Sequence, residues 1–293
     1  MKNTIIYYYN LVPSRIEQKN NIYYLKINNK KYIFMPNEND TNDLLTIYNF
    51  LINIRLYCHE IIYNINNDII TLYKNIPYTL IKLNYNNEGL ITIKNIIHYN
   101  VFVEAPKKCI WSKLWSIKID YYEIQLREFG KKYPLIRDSF SYYNGLCETA
   151  ICLINTIKKY NNNMFLCHKR ISSKLTIEDF YNPLNFTIDV RVRDFSEYFK
   201  IKYFNNKLDI QEIQNYLLEA NLNYSETILF FSRLIYPTYY FDMYDEIIQG
   251  KTNEDKLYYY IDKIEAYELF LKKVYFIINK HYQIPQIEWI LKK

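Results

Sequence analysis

The apolar positions change period along this 293-residue chain. Up to Leu83 they fall in short runs of strand type. Residues 21–27 (NIYYLKI) and 31–35 (KYIFM) are rich in aromatic and β-branched residues, and Asn28-Asn29-Lys30 between them predicts a hairpin. Leu44, Leu45, Tyr48, Leu51 and Ile52 then recur at helical spacing, with Asp40 or Thr41 placed to cap the helix. Residues 59–64 and 68–73 predict a second hairpin around Asn66-Asn67, and residues 78–83 one more strand.

Beyond Asn84 the period becomes helical. In residues 109–129, Trp111, Leu114, Trp115, Lys118 and Tyr122 follow a 3-4 spacing, and Gly130 is a natural stop. Residues 141–159 carry Leu146, Ala150, Leu153, Ile154 and Ile157 on one face. Helical patterns return at 194–200, 209–220, 225–234 and 253–280, and extended runs at 164–167 and 185–190 interrupt them. Strands plus one helix, followed by a mostly helical part, predict an α+β fold with segregated elements, a β-rich domain over residues 1–83 and a helical one over 84–293.

Composition changes this picture little. An apolar fraction of 49% and a charged fraction of 23% are ordinary for a globular chain. The 34 tyrosines and only 4 glycines read as the output of an A/T-rich genome, so the tyrosines carry little functional weight. The net charge is +6, but its basic pairs (Lys107-Lys108, Lys131-Lys132, Lys158-Lys159, Lys272-Lys273) are scattered among acidic residues. A nucleic-acid binder concentrates such charge on one face, so no nucleic-acid partner is expected. Five cysteines without a C-x-x-C pair predict neither a disulfide framework nor a zinc site. No apolar run approaches the ~18 residues of a membrane span, and the N-terminus lacks signal-peptide architecture. A cytoplasmic protein with reduced thiols is the expectation.

Residues 164–200 (MFLCHKRISSKLTIEDFYNPLNFTIDVRVRDFSEYFK) carry the candidate chemistry. An apolar strand ends at His168, Ile188-Asp189 follows 21 residues later (189 − 168), and Asp194 opens the next helical run. This resembles phosphotransferases of the aminoglycoside/choline kinase fold, in which a strand leads into His-Gly-Asp, then an Asn, then a second strand ending in Ile-Asp, then a helix with its own Asp. The whole chain resembles the spore-coat (CotS/YutH-like) branch of that fold, through residues 111–120 (WSKLWSIKID), 132–150 (KYPLIRDSFSYYNGLCETA) and 233–245 (RLIYPTYYFDMYD).

The resemblance implies a protein-kinase-like, two-lobed fold, with a nucleotide-type N-lobe over 1–83 and a helical C-lobe over 84–293. It implies ATP and Mg²⁺ as cofactors, with Asp189 as metal ligand and Asn182 or Asn185 as the second. It makes Lys26 or Lys31 the phosphate-binding strand lysine, with Glu38 or Asp43 as its partner. His168 and Asp194 become structural braces, and Arg191, Arg193 and Glu197 an ion-pair network holding the following helix. The departure is the base. His-Gly-Asp has become His168-Lys169-Arg170, and an arginine accepts no proton at physiological pH. It is suited instead to a phosphate or an acidic ligand. Glu178 and Asp179 are nearby carboxylates, with Asp179 the candidate substitute. No glycine precedes Gly89, so a glycine-rich phosphate loop is absent.

Other residues take plain structural readings. Trp111 and Trp115 share a helical face and are core residues. His59, His98 and His281 have no partner at metal-ligand spacing. The functional expectation is a kinase-like protein that acts by binding a nucleotide or other phosphate-bearing ligand, with spore-coat proteins as partners. The alternative is an active ATP/Mg²⁺-dependent phosphotransferase on a small hydroxylated substrate.

Overall fold

A computed structural model describes residues 1–84, 89–105, 109–158, 163–172 and 175–292. Lys107, Lys108 and Lys159, singled out above among the basic pairs, lie outside the described residues. In chain order the elements are α1 (Lys2–Tyr9), β1 (Arg15–Lys19), β2 (Ile22–Ile27), β3 (Lys30–Pro36), α2 (Thr41–Asn53), β4 (Glu60–Ile62), β5 (Thr71–Tyr73), β6 (Ile76–Leu83), α3 (Ile93–Tyr99), β7 (Phe102–Val103), α4 (Trp111–Phe129), α5 (Pro134–Asn155), β8 (Met164–His168), α6 (Ile177–Phe180), β9 (Phe186–Asp189), α7 (Val192–Phe204), α8 (Ile210–Ala220), α9 (Tyr224–Ile235), α10 (Thr238–Ile248), α11 (Tyr258–Ile261), α12 (Ile264–Asn279) and α13 (Glu288–Leu291). They form two compact units, Met1–Val101 with Leu166–Ile188, and Phe102–Phe165 with Asp189–Lys293.

The first unit is built on an antiparallel sheet of order β1-β2-β3-β6-β4, with β5 also paired to β6. Period-two alternation decides which face is covered. Tyr23, Leu25 and Ile27 of β2 are buried, whereas Tyr24 and Lys26 between them are exposed. The buried face meets Phe34 and Leu80 on the neighbouring strands and Ile5 and Tyr9 of α1, in one apolar cluster. The β2-β3 hairpin turns at Asn28 and Asn29, both left-handed (φ 47° and 62°), as a two-residue turn between right-twisting strands requires. Asparagine tolerates that conformation better than any residue but glycine. In this glycine-poor chain Asn10, Asn20, Asn67, Asn75, Asn206 and Asn221 do the same. For α2 the capping residue is Asp40, whose carboxylate accepts from the backbone N–H groups of Asn42 and Asp43.

The second expected hairpin is not formed. β4 and β5 do not pair with each other; each pairs with β6, through Ile62↔Leu80 and Thr71↔Tyr78. The reason lies in Asn64, whose side chain closes residues 64–70 into a loop of its own, accepting from the N–H of Asn66 and Asp68 and donating to the Ile70 carbonyl. The tight turn is instead Lys74-Asn75, again left-handed at both residues. Helices α1 and α3 and strand β1 were not expected from the pattern. α1 is short, and its two buried residues, Ile5 and Tyr9, are too few to mark a helical face.

The second unit is helical. α9 is its centre, with every residue from Ser225 to Ile235 buried, which is the signature of a helix wrapped on all sides. α5 and α7 both pack on α9, and α4 packs on α5. α5 begins at Pro134 rather than at the expected 141, because proline's fixed φ suits the first position of a helix. The long pattern over 253–280 breaks into a 3₁₀ turn (Glu254–Leu257), α11 and α12. On α4 the buried residues are Trp111, Trp115, Ile119 and Tyr122. Leu114 and Lys118, assigned above to that face, are exposed.

Candidate phosphotransferase-type site

The loop that follows β8 starts at a fully buried histidine. The His168 ring stacks on Phe180 at 4.0 Å, and Nε2 lies 3.1 Å from the Phe180 carbonyl oxygen. A carbonyl only accepts, so Nε2 carries the hydrogen of that bond. His59 acts on the same short helix from the sheet side. Its Nε2 donates to the Glu178 carbonyl at 2.9 Å and its backbone N–H to the Tyr181 carbonyl at 3.0 Å. Burial holds the His59 pKa below the usual histidine value, a shift that the Glu178 carbonyl and the Asp179 charge only partly oppose. The Asp179 carbonyl takes the Asn182 N–H at 3.2 Å. Four successive carbonyls of α6 and its exit, which four residues of helix cannot satisfy internally, are thus all bonded to named donors.

The remaining residues of this loop serve its own backbone. Asn185 accepts from the Arg170 N–H at 3.3 Å through Oδ1, and donates through Nδ2 to the Arg170 and Asp179 carbonyls at 3.4 Å each. Its own carbonyl takes the Lys169 N–H at 2.7 Å. Asn182 accepts from the Leu184 N–H through Oδ1 at 2.9 Å. The Asp179 carboxylate closes a capping box with Thr176, accepting from its N–H at 3.2 Å and from its hydroxyl at 2.8 Å. Lys169 and Arg170 have exposed side chains on this anchored backbone. Lys26 and Lys31 are direct cross-strand partners on β2 and β3, both exposed. Glu38 is exposed, and Asp43 lies in the first turn of α2.

In the helical unit, Asp189 stands at the end of β9 with both carboxylate oxygens engaged. Oδ1 accepts from the Val190 N–H at 2.8 Å. Oδ2 accepts from the Trp111 indole at 2.9 Å and from Arg193 Nη1 at 2.5 Å. Strand-end Asp189 and Arg193 in the first turn of α7 form a largely buried ion pair, with side chains 14% and 18% exposed. Trp111 continues the arrangement, because the Arg233 guanidinium lies over its ring at 4.5 Å. Arg233 Nε donates to Glu197 at 2.9 Å, and Lys200 Nζ lies 3.0 Å from the same carboxylate. Burial alone would raise the Glu197 pKa, but the Lys200 and Arg233 charges more than reverse this and hold it at about 2. Lys200 also donates to the carbonyls of Arg233 and Tyr236 at 2.9 and 3.0 Å, capping the C-terminal end of α9 with a cation. Asp194 is buried beside this group.

Arg191, Arg193 and Glu197, expected to form one network, each pair with further residues. Arg193 binds Asp189, Glu197 binds Lys200 and Arg233, and Arg191 reaches Glu226 at 2.7 Å. Sequence reasoning assigned Trp111 to the core and passed over His59. Both were hidden because their partners are far away in the chain, 78 residues from Trp111 to Asp189 and 119 from His59 to Glu178.

The donor set does not fit a divalent cation. A Mg²⁺ site needs carboxylate oxygens open to the metal. Here Asp189 Oδ2 carries two donors, one a guanidinium, and the amide oxygens of Asn182 and Asn185 accept backbone N–H groups. Among the described residues no group of three His, Cys, Asp or Glu side chains could hold a metal ion.

Element order, sheet and site together define a protein of the kinase-like aminoglycoside phosphotransferase fold. Solved structures agree. An aminoglycoside phosphotransferase from Alicyclobacillus acidocaldarius superposes with a TM-score of 0.64 over 96% of both chains at 10% identity. A spectinomycin phosphotransferase bound to AMP gives 0.63 over 96% of this chain and 98% of its own at 13% identity. Within that fold the chain belongs to the family described as spore coat putative kinase YutH, whose pattern matches residues 2–274. The endospore coat-associated protein YutH of Bacillus subtilis (strain 168) is 24% identical over 211 residues, which span 62% of this chain and 61% of that protein. Among the described residues no helix is long and apolar enough to cross a membrane.

Proposed function

We propose that this chain is a catalytically silent kinase-like protein that acts by binding, in association with the spore coat. The observation that carries the reading is the Asp189 carboxylate, closed by Arg193 and Trp111. In phosphoryl transfer the metal-holding carboxylate must present its oxygens to the metal that neutralises the phosphates, and a second carboxylate must take up the hydroxyl proton. In this chain an internal guanidinium occupies the first position. Arg170 stands at the second, and Asp179, the candidate substitute, is committed to its capping box.

Binding is a separate matter from catalysis. Lys169 and Arg170 are exposed residues on a backbone anchored by Asn185, and residues of these types suit a phosphate-bearing ligand. A neighbour of this fold holds AMP, which supports a nucleotide as that ligand. Coat association rests on the family and on the description of the B. subtilis relative.

The reading is tested by melting the protein with ATP in the presence of Mg²⁺ or of EDTA, since any ligand of the native state raises the melting temperature. The expected result is the same shift, or the same absence of one, in both conditions, and no change with Asp189→Asn. A shift that requires Mg²⁺ and vanishes in Asp189→Asn would restore Asp189 as a metal ligand and overturn the proposal.

A further inference from the structure

The outer face of α4 carries a second apolar pattern, separate from the one that packs into the helical unit. Ile110, Leu114, Ile117, Tyr121 and Ile124 are 53%, 44%, 54%, 52% and 63% exposed. Their spacing is 4-3-4-3, the seam of a two-stranded coiled coil. The residues facing inward are others, Trp111, Trp115, Ile119 and Tyr122. Exposed apolar residues scattered singly need no explanation, but a contiguous stripe does. From residue 110 to 124 it runs about 21 Å along the helix at ~1.5 Å per residue.

We infer that this stripe is a self-association surface, on which α4 packs antiparallel against α4 of a second copy about a two-fold axis at Ile117. Charge complementarity selects both the partner and the direction. Lys113 and Asp120 flank the stripe on one side and Lys118 on the other, all exposed. In the antiparallel register with Ile117 opposite itself, Ile110 faces Ile124 of the second copy, and Lys113 faces Asp120 twice, once on each side of the axis. The two Lys118 side chains meet near the axis, one like-charge contact against two opposite-charge ones. A parallel register sets Lys113 against Lys118 twice and gains no opposite-charge pair. A two-fold contact is self-complementary by construction, and this sequence meets that condition. The half-exposed side chains of the stripe offer about 500 Å² per copy, so about 1,000 Å² for the pair, at the lower edge of a specific interface.

Sedimentation of the full chain from about 1 to about 100 µM tests this, and a dimer is expected within that range. Ile117→Glu should leave a folded monomer that melts where the wild type does at concentrations too low for dimer, since the residue is exposed. Lys113→Asp should weaken the dimer about tenfold, and Lys113→Asp combined with Asp120→Lys should restore it. A wild-type chain that stays monomeric throughout overturns the inference; if that monomer binds anionic vesicles through Ile117, the stripe belongs to a membrane surface instead. A dimer indifferent to Ile117→Glu places the interface elsewhere, and a double charge swap that fails to restore association rejects the antiparallel register.

Discussion

Tyr143 buries a hydroxyl that nothing described accepts or donates to. Its ring is 1% exposed and stacks on Tyr240 at 3.8 Å, so its packing is aromatic while its oxygen is a liability. An unsatisfied buried hydroxyl costs about 1–3 kcal/mol. Tyr143→Phe keeps the ring and removes the oxygen, and should therefore stabilise the fold by about 1 kcal/mol; a loss of stability in urea unfolding would mean that the hydroxyl has a partner after all. Tyr240 makes the contrast, with its hydroxyl 3.0 Å from Ser139 Oγ. Tyr143 and Tyr240 thus serve as large core residues. Single-residue chemistry was legible only where the partner is close in sequence. The cap, expected at Asp40 or Thr41, was legible because the N–H groups that Asp40 accepts from are two and three residues away. Asp189 was legible as a strand-end carboxylate through its distance from His168, but not as one closed by Trp111. The Arg193 half of that closure sits four residues on, where Arg193 was taken as part of a different network.

At the scale of elements, α6 shows how two buried histidines can hold a segment too short to hold itself. Lowering the His59 pKa below 6.5 by burial makes this clamp sensitive to acid. Between the folded and unfolded pKa values the unfolded chain binds a proton that the folded chain does not, so stability rises with pH across that window and is lost as pH falls below about 6.5. The His59 contribution amounts to at most about 1.4 kcal/mol per pH unit. Urea unfolding at pH 7 and pH 5 should show this loss in the wild type and a smaller one in His59→Gln, which keeps a side-chain donor without titrating. An equal loss in both would remove His59 from the account. The strands and helices themselves were legible where one face is covered and the other is not, as in β2, α2 and α4. They were obscured where a side chain rewrote the local path. Asn64 did this between β4 and β5, and α4 hid its second stripe because two apolar patterns of similar period overlap on one helix.

For the whole molecule, element order predicted an α+β chain and the resemblance implied a kinase-like fold, and the family and the solved neighbours bear that out. The helical unit spends its buried charge on its own architecture. Asp189 with Arg193, and Glu197 with Lys200 and Arg233, tie β9, α7 and α9 together. A catalytic site needs comparable groups left open toward its substrate. That contrast is the basis of the proposal that this family member binds without transferring phosphate, and it is most directly tested by ADP formation. Purified protein with Mg²⁺ and ATP, offered sugars, aminoglycosides or choline, should form ADP no faster than Asp189→Asn does under the same conditions. Mg²⁺-dependent ADP formation by the wild type that disappears in Asp189→Asn would contradict the account.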